Sequence, residues 1–275
     1  MTSDIVRSRN HIKPKHPYSN NVYNNRLRTA RASWGIFCYK LMENIEDTKY
    51  LLVRKRNSYA YEEFIRGSYH IDDLDYIRKL ISKLTKTEAD KILSSEFDDL
   101  WRDLNKAYPI TTTNPEKLKL AKENFYKIKA SSGLYNLDRD YIIWEEPEWC
   151  FPKGKKNHQQ ERSEVCAKRE LDEETKLKPN DYEFYSKDPM FIKYKADNGV
   201  EYENTYYFAE IKDLQNISID ESDERQKAEV GAIEWFTAEE CYERIRDYHE
   251  YFKEVLHRGV EICNNLYLSD KKMLS

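Results

Sequence analysis

Between Phe151 and Leu177 the chain reads FPKGKKNHQQERSEVCAKRELDEETKL, gathering Arg169, Glu170, Glu173 and Glu174 into six residues downstream of Gly154. On a helix, spacings of three and four residues bring Glu170, Glu173 and Glu174 to one face about a turn apart. Like charges so placed oppose the helix by only ~0.2–0.5 kcal/mol per close pair, so an ordinary solvated acidic face is allowed. A hard divalent cation turns the repulsion into binding, because such ions prefer carboxylate oxygens, keep several waters and are completed by substrate phosphates. Spacing alone leaves both readings open. Upstream, Pro152-Lys153-Gly154-Lys155 supplies a turn in which Gly154 allows close backbone approach, and Lys153, Lys155 and Lys156 place cations beside it. Glu161, eight residues before Arg169, falls near the helix start, where its charge suits the dipole. Val165, Cys166 and Leu171 form another face able to dock on a sheet. Six scattered histidines (His11, His16, His70, His158, His249, His257) show no paired spacing of the kind zinc sites use.

The elements that would hold this stretch change character along the chain. Ser33–Leu41 and Tyr50–Val53 are apolar, β-prone runs around a polar acidic turn, which predicts a hairpin. From about Ser58 the period becomes helical, with Ile77, Leu80, Ile81 and Leu84, then Ile92, Leu93, Phe97, Leu100, Trp101 and Leu104. Thr85 with Glu88 fits a capping box, and a further helix is expected from about Pro115 to Lys129. Trp101 at helical spacing from Phe97 and Leu104 reads as core, while Tyr59, Phe64 and Tyr69 are aromatic candidates for stacking on a base. Strands are expected at Tyr141–Trp144, Pro189–Lys195, Asn204–Ile211 and Ala232–Phe236, with a turn at Asp197-Asn198-Gly199 and a closing amphipathic helix from Ala238 to Cys263. Strands, a helical block and then mixed elements predict an α+β domain, residues 32–56 plus 131–275, carrying an all-helical insertion at 57–130.

With 275 residues the chain can bury a sizeable core, and 35% charged against 39% hydrophobic residues describes a folded protein with a heavily charged surface. A formal net charge of −4 gives no global polyanion-binding signature, so any such contact must come from local patches. Residues 1–31 form one, with seven Arg or Lys against the single acid Asp4, and read as a flexible basic arm. Five cysteines without a CxxC spacing predict reduced thiols in a reducing compartment. No apolar run approaches the ~20 residues of a membrane span.

Glu161, seven residues, then Arg169-Glu170-Leu171-x-Glu173-Glu174 resembles the Nudix box, whose full form is Gly, five residues, Glu, seven residues, Arg-Glu-aliphatic-x-Glu-Glu-x-Gly-aliphatic. A chance match to the five charged positions is on the order of one in a million per starting point. Six residues instead of five separate Gly154 from Glu161, and Lys176 stands where the second glycine is usual. The segments FPKGK, SWGIFCYKLM, LLVRKRNSYAYEEFIRGSY, NTYYFAEI and AEVGAIEWF resemble the decapping branch of the Nudix superfamily, of the type found in large cytoplasmic DNA viruses such as African swine fever virus.

That resemblance implies an αβα Nudix sandwich, a magnesium or manganese requirement, and release of 7-methylguanosine diphosphate from capped mRNA, in the host cytoplasm if the chain is viral. Diphosphoinositol polyphosphates, which the resemblance also implies, or nucleotide diphosphates are the alternative substrates, and the helical insertion is a place where RNA could bind. Position by position, Glu170, Glu173 and Glu174 would be metal ligands, joined by the Gly154 carbonyl. Glu229, in AEVGAIEW, matches the distal glutamate of decapping Nudix enzymes as a further ligand or general base; Glu173, Glu174 and Glu229 are the catalytic candidates. Arg169 would orient a box glutamate or contact substrate, and Lys153 and Lys155 would meet the cap phosphates. The two departures from the box keep open a catalytically silent RNA-binding scaffold.

Overall fold

The computed structural model describes residues 30–107, 114–131, 141–214 and 217–274. Of the basic arm, residues 1–29 lie outside that set, and Arg31, counted with the arm by its charge, begins the first strand. The sheet contains β1 (Arg31–Lys40), β2 (Lys49–Lys55), β3 (Trp149–Cys150), β4 (Lys153–Gly154), β5 (Tyr182–Lys195), β6 (Glu201–Ile211) and β7 (Val230–Phe236). Its path runs β3-β2-β1-β6-β5, with β4 on β1 and β7 on β2, and β1 and β6 pair in parallel. β1 and β2 form the expected hairpin, but they pair only at Tyr39 with Tyr50 and Lys40 with Lys49 before parting. The segment Glu148–Gly154 fills the fork. Trp149 and Cys150 join Arg54 and Val53 of β2, and Lys153 and Gly154 join Gly35 and Trp34 of β1. Lys55 N donates to Glu148 O (2.8 Å) and Ile36 N to Pro152 O (3.2 Å), so both sides of the wedge are hydrogen-bonded. The fork therefore delivers Gly154 to a fixed place between two strands.

Ile36, Phe37, Cys38 and Tyr39 are all fully buried, a run that requires cover on both faces of the sheet. Helix α6 (Ser163–Thr175) packs on β1 and β4, and α9 (Glu250–Leu274) approaches Phe37 so closely that a Cβ at Gly259 would lie 2.3 Å from its ring. Between these come α7 (Glu224–Glu229) and α8 (Ala238–Arg244). The helical segment holds α1 (Tyr59–Arg66), α2 (Leu74–Ser82), α3 (Lys86–Ser94), α4 (Phe97–Leu104) and α5 (Pro115–Ala130) around a separate core of Phe64, Ile92, Phe97, Phe125 and their neighbours. Its starts are capped: Ser58 and Asn114 accept from backbone N–H groups, and Thr85 with Glu88 forms the expected capping box. Phe64 and Tyr69 belong to this core, and Trp101 packs at its edge against Phe97.

Three elements differ from expectation. Tyr141–Trp144 is no strand; Trp144 makes one bridge to Thr85, and the strand that follows it, Trp149–Cys150, pairs with β2. The closing helix is broken between Arg244 and Glu250. The cause is Arg246, 4% exposed, which donates to Lys83 O (2.9 Å), Glu148 Oε1 (3.2 Å), the Tyr248 hydroxyl (2.7 Å) and Glu146 O. Meeting buried acceptors on three separate segments draws the chain out of helical geometry. Finally, Val165 is 50% exposed, so Cys166, Ala167 and Leu171 make the docking face of α6 without it.

Candidate active site

Helix α6 places Glu170 and Glu174, four residues apart, along the margin of its buried face at 8% and 6% exposure, while the Glu173 side chain is 56% exposed. Burying carboxylates disfavours their charged form. Burial pushes Glu174 up to about 8; Lys55 and Lys153 pull against this, and Glu170 and Glu229 add to it. Burial likewise raises Glu170, with Arg169 opposing.

Arg169 ties the box together. Its Nε and Nη2 donate to the two Glu161 oxygens (2.9 and 3.2 Å), Nη1 to Glu170 Oε1 (2.8 Å) and Glu173 Oε2 (3.1 Å), and Nη2 also to Lys155 O (2.8 Å). The fork geometry of a guanidinium suits this shared grip. Bonds from Arg169, together with the Asn157 N–H (2.8 Å), hold Glu161 down at about 2. All three guanidinium nitrogens are thus engaged with the protein, which makes Arg169 a clamp on the box; the structure gives it no group in reserve for a substrate.

Gly154 stands directly against the box. A Cβ there would lie 2.1 Å from the Glu170 carboxyl, an overlap no side chain tolerates without displacement. The six residues between Gly154 and Glu161 leave that juxtaposition intact, because the additional one is taken up in the irregular run between β4 and α6. Lys153 donates its N–H to Glu174 Oε2 (3.1 Å) and extends its ammonium over Tyr59 and Phe252. Lys155 has its pKa lowered by burial and by Arg31, Lys153 and Arg66, so the cleft around it is crowded with positive charge.

Lys176 adopts φ 63°, ψ 6°, the left-handed conformation that ends helices and that costs a non-glycine residue roughly 1–2 kcal/mol. Its N–H closes α6 on Asp172 O (2.8 Å), and its ammonium pairs with Asp223. Glu229 ends α7, with its carbonyl accepting from Arg56 N (2.9 Å), and shares one cleft with Glu170, Glu173, Glu174, Lys153 and Gly154. Lys55, which sequence reasoning passed over as part of a charged strand end, lines the same cleft with Glu62, Glu174 and Glu229 as its electrostatic neighbours. The signal available was Lys55 closing an apolar run just before Ser58, but its role depends on the β2–β7 pairing. The cleft measures about 1990 Å³ and has the box on one wall and residues of α1, α2 and α5 on another.

Residues 137–257 match the NUDIX domain family. The chain carries a NUDIX domain. Its Nudix fold is α+β, and the family match begins after the helical segment, β1 and β2 preceding it. It is 29% identical over 279 residues to a protein of Acanthamoeba polyphaga mimivirus whose name assigns it provisionally to mRNA decapping, covering 90% of this chain and 74% of the relative. It is 26% identical over 216 residues to mRNA-decapping protein g5R of African swine fever virus, isolate Pig/Kenya/KEN-50/1950, covering 74% of this chain and 84% of that one. A crystal structure of a C. elegans Ap4A hydrolase binary complex overlays on 87% of this chain and 98% of its own, with 12% identity and a TM-score of 0.42, too loose a likeness to argue from.

Nudix hydrolases generally use divalent metal ions. Among the described residues no three His, Cys, Asp or Glu side chains already form a metal-ligand cluster; Arg169 draws Glu170 and Glu173 toward its own Nη1. The donor chemistry fits such an ion nonetheless. Four carboxylates and a backbone carbonyl at Gly154 are hard oxygens, and two of the carboxylates are buried where added positive charge is favourable. No helix among the described residues is long and apolar enough to cross a membrane.

Proposed function

We propose that this NUDIX-domain protein is an mRNA-decapping enzyme that cleaves the triphosphate bridge of the 5′ cap with magnesium or manganese, releasing 7-methylguanosine diphosphate and leaving a 5′-monophosphate on the RNA. The observation that carries the reading is the cleft. At about 1990 Å³ it exceeds the 300–1,000 Å³ typical of small-molecule sites, and cations from both walls line it, among them Lys153, Lys155, Arg66, Lys79, Lys83 and Lys117. The names of the viral relatives favour the same substrate.

In this reading Glu170, Glu173, Glu174 and Glu229, with the Gly154 carbonyl, hold the divalent ion. When bound, the ion supplies electrophilic charge at the phosphates and eases ionisation of water. The protein's own part is positional and electrostatic. A water oxygen bonds to a bridge phosphorus, the phosphorus bond to the departing phosphate oxygen breaks, and a carboxylate takes the water proton; Glu173, Glu174 and Glu229 are the candidates. Lys153 and Lys155 offset charge on the cap phosphates, Arg169 keeps the box carboxylates in place, and the helical insertion binds the RNA body through phosphate contacts. For a viral protein, such an activity acts in the host cytoplasm and shortens the life of host messages.

Cap-labelled RNA, incubated with the protein and magnesium or manganese, should yield labelled 7-methylguanosine diphosphate. Turnover of a diphosphoinositol polyphosphate with capped RNA left intact would instead assign the lysine-rich cleft to that smaller polyanion. An inert protein would point to a silent RNA-binding scaffold.

A further inference from the structure

The residue that departs furthest from the Nudix box, Lys176, also leads out of the box toward Glu229. Its ammonium pairs with one Asp223 oxygen, while the other Asp223 oxygen accepts from Arg225 N (2.9 Å) and Gln226 N (3.1 Å) and so caps α7. Gln226, 2% exposed, runs a second link: its Nε2 donates to Glu174 O (3.0 Å), and its Oε1 accepts from Asp220 N (2.7 Å). One link starts at the residue that caps the end of α6 and the other at Glu174 in its last turn; they end at the N-cap and the first turn of α7, whose final residue is Glu229. Glu174 and Glu229 are separated in sequence by the whole β5–β6 hairpin, so tertiary links must set their spacing. A glycine at the box position could take the left-handed conformation more easily, but it could not reach Asp223.

We propose that Lys176, Asp223 and Gln226 form a brace that fixes the Glu229 segment against the catalytic end of α6, making them positioning residues for the hydrolysis. This rests on placing Glu229 among the working carboxylates. In this protein the brace replaces a conformationally easy glycine with a strained lysine that holds two parts of the site in register.

The test compares wild type, Lys176→Gly, Asp223→Asn and the double variant by capped-RNA kinetics and thermal melting. Glycine suits the backbone at 176, and asparagine caps helices about as well as aspartate, so each change removes the ion pair and spares the local fold. The brace predicts that Lys176→Gly melts no lower than wild type yet loses roughly 10-fold in kcat, with KM within about twofold, as a misplaced catalytic group would. The double variant should lose no more than either single one, because both delete the same interaction. Unchanged kcat in Lys176→Gly, or single losses that multiply in the double variant, would overturn the proposal. Wild type that releases no 7-methylguanosine diphosphate sinks the decapping reading instead. The melting curves of the same four proteins then decide the brace, with additive shifts counting against it and non-additive shifts supporting it.

Discussion

Replacing Gly154 by alanine should separate stability from activity. The new Cβ would stand 2.1 Å from both the carboxyl carbon and Oε2 of Glu170, so something must move by roughly 1 Å or more. Backbone movement at 154 is opposed by the pairing of β4 with Trp34 and Gly35. The Glu170 carboxyl is the freer partner, and its withdrawal breaks the 2.8 Å bond from Arg169 Nη1. Leaving a preferred rotamer costs about 0.5–1.5 kcal/mol, and one strained, partly screened charged hydrogen bond adds a similar amount. At ~2–4 °C per kcal/mol in a domain of this size, the melting temperature should fall by about 2–12 °C and the protein should stay folded. A displacement of ~1 Å in a site that depends on oriented groups costs on the order of 10²-fold in rate. Cap release at saturating RNA and metal, with a melting curve of the same sample, is the assay. A folded Gly154→Ala protein with wild-type kcat would refute the claim that Gly154 exists to let Glu170 close on this site.

Lys55→Met keeps the apolar stem and deletes the charge beside Glu174 and Glu229; kcat should drop roughly 10-fold or more while the melting temperature moves by less than about 4 °C. Arg246→Ala strands the Glu148 carboxylate, 1% exposed, and should cost about 3–5 kcal/mol in urea unfolding, part of which Glu148→Gln recovers in the double variant. Glu161, held at about 2 against an ordinary 4.5, contributes stability that is fully present above about pH 4.5 and is lost as pH falls toward 2. Glu161→Gln should therefore flatten the fall of melting temperature between pH 5 and pH 3, and a slope equal to wild type would contradict the Arg169–Glu161 linkage.

What the sequence made legible was whatever depends on near neighbours. The Thr85–Glu88 cap, the α5 start at Asn114-Pro115 and the carboxylate face of α6 are set by spacings of one to four residues. The wedge at Trp149–Gly154 was harder to see, because two-residue strands carry no period and exist only where β1 and β2 part. The break before Glu250 escaped for a related reason: Arg246 leaves the helix for carbonyls at Lys83 and Glu146, far away in sequence. Lys55 reads as one more cation in a charged run, and only pairing with β7 brings it beside Glu229. At Lys176 the sequence marked the anomaly, and the structure supplied its partner in Asp223.

The box carboxylates stand at the centre of the proposed cap hydrolysis, and the most direct measurement of their part in it is cap release by wild type and Glu174→Gln side by side with magnesium or manganese. Wild type should release labelled 7-methylguanosine diphosphate, and Glu174→Gln, folded to the same melting temperature within a few degrees, should be slower by at least ~10²-fold. Equal rates for the two proteins, or no release by wild type, would contradict it.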